Sequence, residues 1–275
     1  MNDPSVAASW DAEYRNGRYL GELPLPFVAE IVAAARAHGL ATATGLYLGC
    51  GNGRNYLPLV AHGLDLLGLD VSPIAIAQLR ERAPERASRL VCGDLSALPV
   101  GARYPIVIAI QVLQHGDEST THREVRRASA LVAPDGLFCV RVNAVGTDLE
   151  HEHTIVERGA DGRFTVRYRA GPKRGLRIHF FSARELPELL GEEFTLVAPL
   201  RRSVTRRSPP AHGAWVQWEG IWLRARPATR GPTTPGPVPD DGTGITRSNS
   251  RSRPARSPRL RGRAVRAPDA IREPR

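Results

Sequence analysis

From about Thr44 to Asn143 the apolar residues fall into short runs, separated by amphipathic stretches and by turns marked with glycine or proline. GLYLG (45–49), LDLLGLD (64–70), RLVCGD (89–94), YPIVIAIQ (104–111) and GLFCVRVN (136–143) are predicted as five strands. YPIVIAIQ is apolar on nearly every position, as a strand covered on both faces must be. Helices are predicted between the strands. One runs over about 56–61, with Pro58 in its first turn, where the missing N–H costs no intrahelical bond. Another runs from Ser72-Pro73 to about Arg82, with serine as N-cap and proline at the first helical position. A third passes through Val125 and Leu131 and gives way to a turn at Pro134-Asp135-Gly136. Strands alternating with helices at this spacing predict an α/β, doubly wound parallel sheet, because parallel neighbours need crossover connections. Ligands of such sheets bind at the carboxyl ends of the strands.

After the fifth strand the pattern changes. Residues 144–181 are expected to form an insertion on the substrate side, irregular apart from a hairpin of RFTVRYR (163–169) and LRIHFF (176–181) around Gly171-Pro172. Ser182 with Glu185 resembles a capping box, opening a helix that Pro187 shortens or kinks. FTLVAPL (194–200) and AWVQWEGIWLRAR (214–226) supply the final strands, with a loop rich in Arg, Ser and Pro between them. The last 49 residues hold nine prolines and no aromatic residue, too little to offset the entropy of ordering. The expected organisation is therefore a lid and helix over 1–43, a folded domain over 44–226 and a disordered tail over 227–275.

Charge sharpens this division. Of the net +10 of the 275-residue chain, +9 lies in residues 224–275, which hold 13 arginines, so the body is close to neutral. Its bulk field gives no reason to expect nucleic acid as a partner. No apolar run approaches a membrane span, and MNDPSVAASWDAEY lacks the basic and apolar regions of a signal peptide, so a cytoplasmic location is expected. Cys50, Cys92 and Cys139 are widely spaced and suggest neither disulfides nor a cysteine metal site.

The sharpest chemical signal is LYLGCGNGRN (46–55), with Gly49, Gly51 and Gly53 between a buried strand and a helix. Glycines there let backbone N–H groups approach a ligand at a helix N-terminus. Asp70 ends the second strand 21 residues after Gly49, and Asp94 follows the third strand 24 residues later. A carboxylate at the first position can accept both hydroxyls of a ribose, and one at the second an adenine amino group. A dinucleotide fingerprint wants a third glycine where Arg54 stands, which argues against NAD or FAD. LYLGCGNGRN, LLGLDVSP, VCGDLSALP, IQVLQH and LVAPDGLF resemble the successive motifs of the class I S-adenosylmethionine-dependent methyltransferases over residues 44–143. FFSARELPELL and the last tryptophan-containing strand extend the likeness to about 226, and WDAEYRNGRYLGELP (10–24) resembles the lid of tellurite-resistance-type and related small-molecule members. The resemblance implies a Rossmann-like seven-stranded sheet with its last strand antiparallel. It also implies S-adenosyl-L-methionine as cofactor, held by Gly49, Cys50, Gly51, Gly53, Asn55, Asp70, Val71, Asp94, Leu95 and Gln111. The chain departs from the family at Tyr47, where an acidic residue is usual and helps to organise the cofactor's ammonium end.

Methyl transfer from a sulfonium depends on alignment and exclusion of water, with a base needed only when the acceptor is protonated. His115, just past the fourth strand, is the candidate general base or acceptor-orienting group. Tyr14, Tyr19, His151 and His179 are candidates for the substrate side, with Trp10, Tyr168 and Phe180 as further aromatic residues for an acceptor pocket. The H-x-H run at 151–153 has no clear third ligand beyond His179, and no metal is expected. IQVLQH lacks the N/D-P-P-Y/F run of amino-directed methyltransferases, so a small-molecule acceptor leads. Two alternatives stay open: a non-catalytic cofactor-binding protein, raised by Tyr47, and an RNA-associated methyltransferase using the basic tail.

Overall fold

The computed structural model describes residues 4–209 and 211–226; the segment 227–275, and with it the expected disordered tail, lies outside the described residues. Two helices, α1 (Pro4–Arg15) and α2 (Phe27–Ala37), precede the alternating region. There follow β1 (Gly45–Leu48), α3 (Tyr56–Ala61), β2 (Leu66–Asp70), α4 (Pro73–Arg82), β3 (Leu90–Cys92), β4 (Tyr104–Ile110), α5 (Glu118–Ala130) and β5 (Val132–Asn143). The Ser72 hydroxyl accepts the Ala75 N–H at 3.0 Å, the cap anticipated for α4. The rest of the chain forms β6 (His153–Arg158), β7 (Phe164–Tyr168), β8 (Arg177–Phe180), α6 (Glu185–Leu190), β9 (Phe194–Leu196), β10 (Arg201–Arg206) and β11 (Ala214–Arg224).

The main sheet has the order β10-β11-β5-β4-β1-β2-β3, parallel from β5 to β3 and antiparallel where β11 joins β5. The continuous apolar run of β4 is explained by its two covered faces. Ile106, Ile108 and Ile110 pack with Phe27, Ile31, Leu59 and Leu79 on the side of α2, α3 and α4. Val107 and Ala109 pack with Val125, Ala128 and Leu186 on the side of α5 and α6. Every parallel strand thus ends at the same edge of the sheet, where the loops after β1, β2, β3 and β4 gather.

Four local expectations are corrected. The sheet has eight strands, because β9 and β10 lie end to end along one edge of β11, pairing with Trp222–Arg224 and Ala214–Glu219 respectively. The RRSVTR stretch, assigned to a loop, is this second piece: an exposed edge strand carrying arginines, which discourage further pairing. Pro134-Asp135-Gly136 does not end the chain segment before a new strand. It lies within β5 as an irregularity, with Asp135 at φ +60° and the register to β4 shifting between Tyr104 and Ile106. The insertion is less irregular than its sequence suggested: the anticipated hairpin of β7 and β8 is joined by β6 into a three-stranded antiparallel sheet. It has its own small core, in which Phe164 and Phe180 stack at 4.8 Å. Finally, only half of the capping box forms. Glu185 Oε2 accepts the Ser182 N–H at 2.6 Å, while the Ser182 hydroxyl bonds to Asp161 instead, and α6 has six residues.

Candidate active site

A cavity of about 540 Å³ opens at the carboxyl ends of β1, β2, β3 and β4. Its floor is the glycine loop. Gly49 and Gly51 sit at φ +67° and +55°; a Cβ on Gly49 would lie 2.7 Å from Val112, and one on Gly51 2.5 Å from the Tyr14 hydroxyl. Both positions therefore exclude side chains on two grounds, conformation and space. Gly53 does not line the cavity; it packs against Leu79 and Leu57. Of the other proposed cofactor residues, Cys50, Asn55, Asp70, Val71, Asp94, Leu95 and Gln111 all line it. Asp70 is buried, accepting the Gly51 N–H at 2.8 Å and the Ser72 N–H at 2.9 Å. Burial pushes its carboxyl up to about 6 against the pull of these two donors, and Asp11 nearby adds to the rise. Asp94 caps a short 3-10 turn, where hydrogen bonds from the Ser96 hydroxyl and N–H hold its carboxyl below the usual range. Gln111 has φ +56°, a conformation that costs a non-glycine residue about 1–3 kcal/mol. Its N–H is anchored to the Arg141 carbonyl at 2.7 Å, so the strained residue is fixed where β4 meets the cavity.

The N-terminal segment closes over this floor. Asp11 accepts hydrogen bonds from the Ser72 hydroxyl and the Ile74 N–H, fastening α1 to the start of α4. Gln78 donates to the Tyr14 carbonyl at 3.0 Å and Asn52 to the Arg18 carbonyl at 3.0 Å. Arg54 donates to the Leu23 carbonyl and pairs with Glu22 at 2.9 Å, while Asn55 accepts the Leu25 N–H. Arg54, the residue that argued against a dinucleotide, thus ties the lid to the glycine loop. Tyr47 is buried in the cavity wall with its ring edge-on to Tyr56 at 6.2 Å. Burial lifts its hydroxyl above the ordinary tyrosine range, so it stands as a neutral phenol where an acid was looked for.

A second cavity of about 290 Å³ lies between the lid, the insertion and the carboxyl end of β5. Trp10, Tyr19, Arg54, Gln111 and His115 line both cavities and mark where they meet. His115 was placed here by its position after β4. Both of its ring nitrogens are buried without a hydrogen-bond partner, and its ring stands edge-on to Trp10 at 5.5 Å. Burial, then the charge of Lys173, pushes it down to about 3, so the imidazole is neutral at any working pH. Tyr14 lines the first cavity only, Tyr19 both, and Tyr168 the second.

Two proposed substrate-side residues are elsewhere. His151 packs over the Gly171 turn and beside Tyr168, outside both cavities. His179 is buried behind the hairpin, where its Nε2 and that of His122 both meet Glu185 Oε1, at 2.9 and 2.8 Å. Phe180 is in the core of the insertion. Among the described residues, the groups close enough to share a metal are His122, His179 and Glu185, not the H-x-H run. Their hydrogen bonds account for the arrangement without an ion, and Thr165 holds the other ring nitrogen of His179 at 2.8 Å. Sequence reasoning missed Glu22, Gln114, Lys173 and the polar residues Arg141, Asn143 and Gln217 of the second cavity. A signal for the last three existed. Arg141 and Asn143, like Gln217 and Glu219, are polar at alternate positions of otherwise apolar strands, which puts a buried polar stripe on one face.

The sheet order, the glycine loop and the acid at the end of β2 form the arrangement that the resemblance to class I S-adenosylmethionine-dependent methyltransferases implies. Residues 46–136 match the methyltransferase domain family. Over 147 residues the chain is 31% identical to a ubiquinone biosynthesis O-methyltransferase of Methylobacterium sp. (strain 4-46), a match covering 48% of this chain and 57% of that protein. The chain therefore spans little more than half the length of that relative. The 1,6-didemethyltoxoflavin-N1-methyltransferase of Burkholderia thailandensis, solved with 1,6-didemethyltoxoflavin and S-adenosylhomocysteine, has a similar fold. It gives a TM-score of 0.56 at 20% identity, over 81% of this chain and 88% of that one. The magnesium protoporphyrin IX methyltransferase of Synechocystis PCC 6803, solved with S-adenosylhomocysteine, gives 0.55 at 16% identity over 82% of this chain and 100% of that one. No described helix is long and apolar enough to cross a membrane.

Proposed function

We propose that the protein binds S-adenosylmethionine in the larger cavity and transfers its methyl group to a hydroxyl of a small molecule held in the smaller one. The observation that carries this reading is the meeting of the two cavities at Gln111 and His115, beside the glycine loop. The residues fit the cofactor: the side-chain-free surface of Gly49 and Gly51 admits its amino acid end, and Asp70 its ribose. When bound, S-adenosylmethionine supplies a methyl carbon on a cationic sulfur, so transfer needs no covalent enzyme intermediate. Oxygen as the receiving atom is supported by the O-methyltransferase relative. The chain's own contribution is to align the two partners and, with α1 as cover, to keep water out. Calorimetric titration with S-adenosylhomocysteine is the direct test; no heat and no thermal shift at millimolar ligand would exclude the proposal.

Asp70 gives this binding a pH dependence. Above about pH 6 its carboxylate accepts both ribose hydroxyls as charge-assisted bonds; protonation below that value removes the charge. Affinity for S-adenosylhomocysteine is expected to fall as pH drops through about 6, and Asp70→Asn to abolish that dependence, both measurable by calorimetry between pH 5 and 8.

His115 acts as the group that orients the acceptor hydroxyl, through a hydrogen bond to its neutral ring. His115→Ala is expected to lower kcat/KM by about 10- to 100-fold, the loss of one buried hydrogen bond, with S-adenosylhomocysteine affinity unchanged. Because the ring titrates near 3, the ratio of parent to variant rates should be constant from pH 6 to 9. A ratio that bends in that window would make His115 a general base.

A further inference from the structure

The smaller cavity holds more unsatisfied polar chemistry than the proposed reaction uses. Gln114 Oε1, both His115 ring nitrogens and Lys173 Nζ are buried without a hydrogen-bond partner. All three side chains line this cavity, and buried groups of this kind are normally paired. Gln114 Oε1 accepts, Lys173 Nζ donates, and the neutral His115 ring offers one donor and one acceptor. The other walls are aromatic: Trp10 and Tyr19 from the lid, Tyr168 from β7 and Trp215 from β11.

The charges are also unbalanced. Arg18, Arg54, Arg141 and Lys173 line the cavity. Arg54 has Glu22 at 2.9 Å and Arg141 has Glu219 at 2.6 Å. Arg18 and Lys173, in contrast, share Glu13, at 3.6 and 3.5 Å. Four cations therefore face three carboxylates. Lys173, the only lysine of the chain, lies on the turn between β7 and β8, with Nζ 3.3 Å from the centroid of the Trp10 ring. A half-satisfied ammonium over an aromatic face, beside a cavity, is a place for an anion that takes up its free N–H donors.

We propose that the smaller cavity recognises a planar, one- or two-ring aromatic acid that carries a hydroxyl, with Lys173 binding its carboxylate. The hydroxyl points to His115 at the junction of the cavities, and Gln114 Oε1 accepts any further O–H or N–H. A volume near 290 Å³ is at the small end of ligand pockets, which limits the acceptor to that size. This assignment rests on the methyltransferase reading but specifies what that reading leaves open. Lys173 is then a specificity-determining residue that acts by contact with the substrate.

The test uses the full chain saturated with S-adenosylhomocysteine and two probes, 3,4-dihydroxybenzoate and its neutral methyl ester, titrated by calorimetry. The parent is expected to bind the acid at least about tenfold more tightly than the ester, the equivalent of one modest charge-assisted contact. Lys173→Met should remove the preference, while Lys173→Arg, which keeps the charge, should retain most of it; S-adenosylhomocysteine affinity, measured alongside, reports that each variant is folded. Glu13→Gln, which frees the shared charge, should enlarge the preference. Equal binding of acid and ester by the parent, or a preference that survives in Lys173→Met, overturns the proposal. Failure of S-adenosylhomocysteine itself to bind would instead overturn the methyltransferase reading.

Discussion

Asp70→Ala is expected to weaken S-adenosylhomocysteine binding by about 3–6 kcal/mol, some two to four orders of magnitude in affinity. The figure is two charge-assisted hydrogen bonds at about 1.5–3 kcal/mol each. Thermal stability should change far less, because two opposing effects meet at this residue. Holding the carboxylate in a buried site raises its folded value from 3.8 to about 6, which at neutral pH costs the fold about 3 kcal/mol. The sign follows from the direction: the cost is present above about pH 6 and disappears as pH falls from there towards the unfolded value. Against it stand the hydrogen bonds to Gly51 and Ser72 that alanine removes. Calorimetric titration and a melting curve on the same sample separate the two. A variant that lost affinity only in proportion to lost stability would show that Asp70 organises the loop and does not touch the ligand.

Glu185→Leu is expected to be the most destabilising single change, at about 3–5 kcal/mol, as for other buried charge networks broken from one side. Glu185 is 2% exposed and receives hydrogen bonds from His122, His179 and the Ser182 N–H, all left without an acceptor by leucine. Melting should fall by about 6–20 °C, on the scaling of about 2–4 °C per kcal/mol for a domain of this size. Burial alone would raise this carboxyl, but the bonds from His122, His179 and Ser182 outweigh it and hold it at about 2. Its contribution is therefore complete above the ordinary value of 4.5 and is lost as pH falls from there through about 2. In urea titrations the parent's advantage over the variant should shrink across that acid range. An advantage that stayed constant down to pH 2 would contradict the network as described.

The lining of the larger cavity was legible in the sequence because its determinants are local. A buried strand, a glycine turn and a helix follow one another within Gly45–Ala61, Asp70 is the last residue of β2, and Asp94 lies two residues past the end of β3. Gly53 shows the limit even here: the spacing gave it the same standing as Gly49 and Gly51, but it meets Leu79 of the next helix. Of the smaller cavity's lining the sequence singled out Trp10, Tyr19, His115 and Tyr168, but not the polar groups around them, which come from segments more than 30 residues apart. Glu13, Gln114, Lys173 and Gln217 come from the lid, the loop after β4, the insertion and the last strand. No periodicity relates them. β6 and β10 were missed for a different reason. HTIVER and RRSVTR are exposed and polar, so the burial that writes an alternating pattern into a strand is absent from both.

Helix α1 covers both cavities at once. Trp10 lines each of them, Asp11 fastens the helix to α4 on the cofactor side, and Ser9 donates to the Pro172 carbonyl on the insertion side. A single door serves two rooms. Ordering that helix costs conformational entropy once, and whichever ligand arrives first bears the cost for the second. The two occupants should then favour each other thermodynamically, each raising the other's affinity by the same factor.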